Sequence, residues 1–170
     1  MASTFPAAIS NASIFSHAFE SEKEIFRRIY SEHCHRIYSL AFWMTDHELV
    51  AEQVAAKTFL RAFAAGSRSA EEIDQAFLSE IRELVPVDGL TLRCEIAART
   101  GAVNRNVRRC DLEGALVQLP AMEKMIFLLH DVEGYEHYRI ARLLDITHND
   151  SRFGLHQARL RIRELLGQIQ

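Results

Sequence analysis

Six arginines crowd the stretch from residue 139 to the end of the chain: Arg139, Arg142, Arg152, Arg159, Arg161 and Arg163. A guanidinium holds its donors in a planar fork that matches the paired acceptors of a guanine edge or a phosphate. A good bidentate base contact is worth about 1–3 kcal/mol of discrimination. The acids in that stretch are Asp145, Asp150 and Glu164, whereas residues 111–138 carry Asp111, Glu113, Glu123, Asp131, Glu133 and Glu136 against the single base Lys124. The pattern offers polyanion binding at one end of a polarised chain. It does not offer catalysis. Serines and histidines are scattered, no glycine-rich phosphate loop occurs, and no carboxylate pair sits in a recognisable frame. His33-Cys34-His35 is the nearest thing to a metal motif, but neighbours on a helix point about 100° apart, so the three cannot converge on one ion. There is no CxxC or HExxH spacing to help. The reading is therefore no catalytic residue, no metal and no cofactor.

Arginines that enter a groove need a rigid mount. Tyr135 to Leu144 reads as a short helix and Asp145-Ile146-Thr147 as a tight corner. From Asn149 to Leu166 the apolar residues Leu155, Ala158, Ile162, Leu165 and Leu166 recur at the spacing of a helix buried on one side. This is a helix-turn-helix, a common way of placing side chains in the DNA major groove. Arg152, near the helix start, is the first candidate for DNA contact. Arg139 and Arg142 on the preceding helix could touch phosphate. Arg161 and Arg163, near the end, could serve DNA or simply line a solvated face with Glu164.

The rest of the chain reads helical throughout, with no alternating β pattern of any length. A first helix is expected over Ser21 to Trp43, with Ile25, Ile29, His33, Ile37 and Leu40 on one face. Asp46 is expected to cap a second helix from His47 to Ala65, ended by Gly66. A third, Ala70 to Leu84, stops before Pro86. Pro120 opens a helix over Ala121 to Asp131, and Glu133-Gly134 turns the chain into the helix-turn-helix. Trp43, Phe59 and Phe63 read as core. The fold class is all-α: a disordered leader at 1–19, a helical module at 20–86, a linker at 87–111, and a helix-turn-helix module at 112–170. Within the linker, Leu92 to Val103 mimics a second reading head but is better read as a linker helix with a basic tail. At 170 residues and 48% apolar, one or two small domains can bury a core. No apolar run approaches the ~18 residues of a membrane span. The first residues lack the pattern of a signal peptide. Three scattered cysteines suit reduced thiols in a cytoplasm. The net charge of −3 is unusual for a freestanding DNA binder.

Several runs together resemble a known family. Ala115-Leu116-Val117-Gln118-Leu119-Pro120, Ile126-Phe127-Leu128-Leu129, Glu133-Gly134-Tyr135, Ile140-Ala141, Leu144-Asp145-Ile146 and Leu155-His156-Gln157-Ala158-Arg159 resemble the fourth region of bacterial sigma factors of the extracytoplasmic-function (ECF) class. Phe26 to Tyr30, Tyr38 to Ala41, Ala51-Glu52-Gln53 and Thr58 to Phe63 are similar, in order and spacing, to their second region. The resemblance implies a sigma factor that binds core RNA polymerase and recognises promoter DNA. Its second region would dock on the polymerase clamp through Glu52, Gln53, Ala56 and Lys57 and help to open the minus-ten element. Its fourth region would read the minus-thirty-five element between Asn149 and Arg163, with Arg139, Arg142, Asn149, Arg152, His156 and Arg159 as the DNA set. An anti-sigma factor would be a further partner.

The chain departs from the family pattern at identifiable places. Ala51-Glu52-Gln53-Val54-Ala55-Ala56-Lys57 stands where Ala-Glu-Asp-Leu-Val-Gln is usual, and Glu83 stands where a base is expected. Ser151, Phe153 and Gly154 replace the common Val, Ser and Arg, and a mid-helix glycine costs about 1 kcal/mol relative to alanine. These departures leave two alternatives: a sigma-like protein-interaction or regulatory module that does not open promoters, and a stand-alone helix-turn-helix regulator.

Overall fold

A computed structural model describes residues 11–85, 90–92 and 108–168. Among them are seven α-helices, one π-helical turn and no strand. In chain order these are α1 (Asn11–Thr45), α2 (Glu48–Ala64), α3 (Ala70–Leu84), α4 (Arg109–Val117), α5 (Ala121–Phe127) running into the π turn (Leu128–Val132), α6 (His137–Leu144) and α7 (His148–Gln168). The all-α expectation holds.

Helix α1 starts ten residues before the expected Ser21, so residues 11–19 are helical and the disordered-leader reading is corrected over them. The cause is local: no glycine or proline occurs between Asn11 and Thr45, and nothing stops the helix once begun. Residues 1–10 lie outside the described part. The cap of α2 also differs. Asp46 takes the left-handed conformation (φ +50°) and closes α1 by donating its N–H to Phe42 O (2.8 Å). His47, in extended conformation, then precedes α2. A short polar side chain tolerates that left-handed geometry, which is why an aspartate can end one helix instead of starting the next. Gly66 (φ +70°) turns the chain after α2. Helix α3 has the expected bounds. Ser69 and Glu72 form a reciprocal capping box, Glu72 N–H to Ser69 Oγ at 3.3 Å and Ser69 N–H to Glu72 Oε2 at 3.0 Å. Backbone hydrogen bonds from Arg68 and Ser69 hold the Glu72 carboxyl below the usual range.

These three helices bury Ile29, Ile37 and Leu40 of α1, Val54 and Phe59 of α2, and Ile73, Phe77 and Ile81 of α3. Phe26 stacks on Phe63 at 4.6 Å and Tyr30 meets Phe59 edge-on at 4.9 Å, so the aromatic set belongs to the packing. In the C-terminal half, α5 and α7 pack closely, and α4 closes a smaller cluster of Ala115, Leu116, Leu119, Ala158 and Ile162. The expected helix to Asp131 changes character at Leu128, where a π turn takes over. It ends with Tyr135 N–H on Leu129 O at 2.9 Å. Such turns insert an extra residue into the helical ladder and often mark functional sites.

The two halves pack directly on each other. Met125, Ile126, Leu128, Leu129, Ile140, Leu143 and Leu155 join Ile37, Leu40, Ile73 and Phe77 in one continuous buried cluster, with Leu90 and Leu92 packed against it. Helix α4 starts at Arg109, inside the tail of the expected linker, where Asp111 accepts from Arg108 N–H at 3.0 Å. The remainder of the second helix-turn-helix mimic, from residue 93, lies outside the described residues.

Candidate nucleic-acid interface

Gly134 (φ +71°) releases the chain from the π turn, and Glu136 is still extended, so α6 begins at His137 and leaves Tyr135 outside the helix. Asp145 ends α6 in the left-handed conformation (φ +58°), with Ile146 N–H on Ala141 O at 3.0 Å. Thr147 and Asp150 then cap α7 reciprocally: Asp150 N–H reaches Thr147 Oγ1 at 3.0 Å, and Thr147 N–H reaches Asp150 Oδ2 at 3.1 Å. That box starts α7 at His148, one residue earlier than expected. Ser151, Gly154, Leu155, Ala158 and Ile162 form its buried side, while Asn149, Arg152, Phe153, His156, Arg159 and Arg163 form an exposed stripe.

Gly154 is a correction to the expected propensity penalty. A Cβ at this position would lie 2.5 Å from Ile126 Cδ1 and 2.8 Å from Leu92 Cδ2. The absence of a side chain lets α7 seat directly on α5 and on the chain that leads from the first module. The intrinsic helix penalty is offset by that close approach.

The arginines do not form an open basic face. Arg159 pairs with Asp131 through two hydrogen bonds (2.7 and 3.1 Å), and Arg161 donates to the buried Glu123 at 2.9 Å. Arg142 meets Glu71 of α3 at 2.7 Å, and Arg139 meets Asp74 of α3 at 3.0 Å. Acids of residues 111–138 and of α3 thus pair with four of the six arginines. Arg152 and Arg163 are exposed and make no ion pair among the described residues. Of the expected DNA set, Asn149, Arg152, His156 and Arg159 lie together on the α7 stripe, Arg159 held by Asp131. Arg139 and Arg142 are turned to α3, so the phosphate-facing expectation for them does not fit this arrangement. Burial works against the Asp131 charge, but the hydrogen bonds from Arg159 and His130 prevail and keep its carboxyl below the usual range.

Asp74 is the residue the sequence reading missed. Its side chain is 3% exposed and is met from both modules. Arg36 Nη1 of α1 lies 2.7 Å from Oδ1, while Arg139 Nη2 at 3.0 Å and the Tyr135 hydroxyl at 2.8 Å both donate to Oδ2. Arg36 Nη1 also donates to the Tyr135 oxygen at 2.9 Å, and the Arg139 guanidinium lies 3.7 Å over the Tyr135 ring. Burial, and then Asp74, push the Tyr135 hydroxyl up to about 12, so it stays a proton donor at neutral pH. A signal existed. Asp74 stands on the apolar stripe of α3 beside Ile73, Phe77 and Ile81, where an acid must find partners. Glu123, among Met122, Met125 and Ile126, carries the same signal.

A histidine cluster sits beside the start of α7. His130 stacks on His137 at 4.5 Å, His137 meets His148 edge-on at 5.8 Å, and His137 Nδ1 lies 3.0 Å from the buried Ser151 Oγ. Burial, followed by the neighbouring charges of His130, His148 and Arg152, lowers the His137 pKa. Among the described residues no group of histidine, cysteine or acidic side chains could hold a metal.

On the first module Glu52, Gln53, Ala56 and Lys57 are all exposed along α2. Glu52 and Ala56 border an open cleft of about 370 Å³ between α1 and α2, floored by Cys34, Tyr38 and Phe59. Glu83, the acid in a position expected to be basic, is paired with Arg61, which also holds Glu80. Its charge therefore opposes DNA less than the sequence alone suggests.

The geometry defines a helix-turn-helix module docked on a three-helix bundle. Residues 111–162 match the family model of sigma-70 region 4. Comparison with curated proteins found no match. Among solved structures, the chain is similar to the sigma factor RpoE from Bartonella quintana, solved in complex with the anti-sigma factor NepR. That similarity has a TM-score of 0.62 at 19% identity and covers 85% of this chain and 98% of the other. Residues 111–162 are thus similar to sigma-70 region 4, and the chain has the fold of that solved sigma factor. No helix among the described residues is long and apolar enough to cross a membrane.

Proposed function

We propose that this chain is a sigma-type transcription initiation factor that binds core RNA polymerase and reads the minus-thirty-five element with the first half of α7. The observation that carries this reading is the exposed stripe of Asn149, Arg152, Phe153 and His156 on a region 4 recognition helix, with Arg152 unpaired among the described residues. Clamp docking is assigned to the exposed Glu52, Gln53, Ala56 and Lys57 of α2. An anti-sigma factor is proposed as a further partner, because the similar sigma factor was solved with one. The chain then acts in the cytoplasm and carries out no catalysis of its own. The test is transcription in vitro with core polymerase and a promoter library, beside a pull-down with core polymerase. Transcripts that depend on the chain support the reading. Failure to associate with polymerase refutes it.

A second reading has its own observation. Arg139 and Arg142 are engaged by Asp74 and Glu71, as suits a sigma-like module that binds a regulator or polymerase without opening promoters. It predicts polymerase association with no transcript. Sequence-specific DNA binding without polymerase association would instead favour a stand-alone regulator.

A further inference from the structure

We infer that Phe153 is a specificity residue of the recognition helix and that it reads the 5-methyl group of a thymine. This rests on the promoter-reading function proposed above. Phe153 is 38% exposed, a large apolar ring on the same face of α7 as Arg152, Asn149 and His156. The next residue, Gly154, is buried where a Cβ would lie within 3 Å of the side-chain ends of Ile126 and Leu92, so α7 sits close against both and its outer face is held at that distance. Farther along the helix, Arg159 and Arg161 are held by Asp131 and Glu123, and Arg163, exposed, lies nearly three turns beyond Phe153.

The chemistry of the groove names the partner. Base edges in the major groove present hydrogen-bond donors and acceptors, and the one apolar group among them is the thymine methyl. A phenyl ring placed there without a methyl partner would cover polar edges and leave them unsatisfied. With one, it removes a methyl group and part of its own surface from water. Arg152, one residue away, can hold an adjacent guanine edge or a phosphate and set the register.

The test starts with the full chain and core RNA polymerase, used to select duplexes from a randomised library. Each thymine of the selected duplex is then replaced in turn by deoxyuridine, which deletes the methyl and leaves every hydrogen-bonding group in place. One position is expected to weaken binding about fourfold, the equivalent of about 0.8 kcal/mol for one buried methyl-sized group. Phe153→Ala should abolish that sensitivity, and Phe153→Leu should keep part of it. A selected duplex with no methyl-sensitive thymine overturns the inference while leaving promoter reading intact, and so does a sensitivity that survives in Phe153→Ala. A Phe153→Ala defect confined to polymerase association places the ring in a protein interface and also overturns it. If the library yields no enriched duplex, promoter reading falls and this inference falls with it.

Discussion

Asp74→Ala is the most revealing perturbation. The substitution removes the single carboxylate shared by Arg36, Arg139 and the Tyr135 hydroxyl, and leaves two guanidinium cations facing each other at the junction of the modules. Breaking a buried ion pair by deleting one partner costs about 3–5 kcal/mol, because the remaining charge is stranded. Arg36 is only 18% exposed, but Arg139 is 34% exposed and keeps its stacking on Tyr135. Water can reach one of the two cations, which sets the expectation at the low end, about 3 kcal/mol. For a chain of this length that corresponds to a fall in Tm of about 6–12 °C. Urea denaturation followed by far-UV circular dichroism measures it, with Glu71→Gln as the internal comparison. The Glu71–Arg142 pair is solvent-facing on both sides, so its loss should cost no more than about 1 kcal/mol. Adding Arg139→Ala to Asp74→Ala should recover part of the loss, since one stranded cation is gone. If Asp74→Ala destabilises no more than Glu71→Gln, the reasoning that one buried carboxylate ties the modules together is wrong.

Three further outcomes follow from the recognition module. Gly154→Ala should destabilise by about 1–3 kcal/mol despite alanine's better helix propensity, because Ile126 and Leu92 must move aside; a stabilised variant in thermal melts would contradict the close seating of α7. Arg152→Ala should lower the affinity of the polymerase-bound chain for a selected duplex and reduce the slope of log K against log salt by about 0.9, whereas Arg159→Ala, already tied to Asp131, should change it less. Equal slopes for the two variants, from titrations at several salt concentrations, would count against the pairing. Stability should fall as pH drops below about 6.5, because unfolded His137 takes up a proton there while the folded residue resists it under burial and the charges of His130, His148 and Arg152. The decline should level off below the folded pKa. His137→Gln should flatten that part of the curve, and parallel pH profiles of Tm for the two proteins would rule His137 out as the source.

Much of the secondary structure was legible because its causes are local. Pro86 stops α3 at its observed end. The period of Leu155, Ala158 and Ile162 marks the buried side of α7. Local chemistry misled where two local outcomes compete: Asp46 has the composition of a cap for α2 and instead ends α1, and Tyr135 looks helical but is held out of α6 by the turn at Gly134. The site was legible as a surface and misread as a charge distribution. Arg152 is exposed as its place on the helix suggested, while Arg139, Arg142, Arg159 and Arg161 looked free because their acids lie 28 to 71 positions away: Asp131, Glu123, Asp74 and Glu71.

By itself the sequence determined an all-helical chain, most of its helix ends, and the helix-turn-helix with its outward stripe, since helical period and backbone stops depend on neighbours within a few residues. Only the tertiary structure decided that the two modules share a core, that Asp74 sits between them, and that two of the six expected DNA residues face another helix. Those outcomes rest on long-range pairing of charge and apolar surface. A linear pattern can show that a buried acid needs partners, but the packed chain selects them.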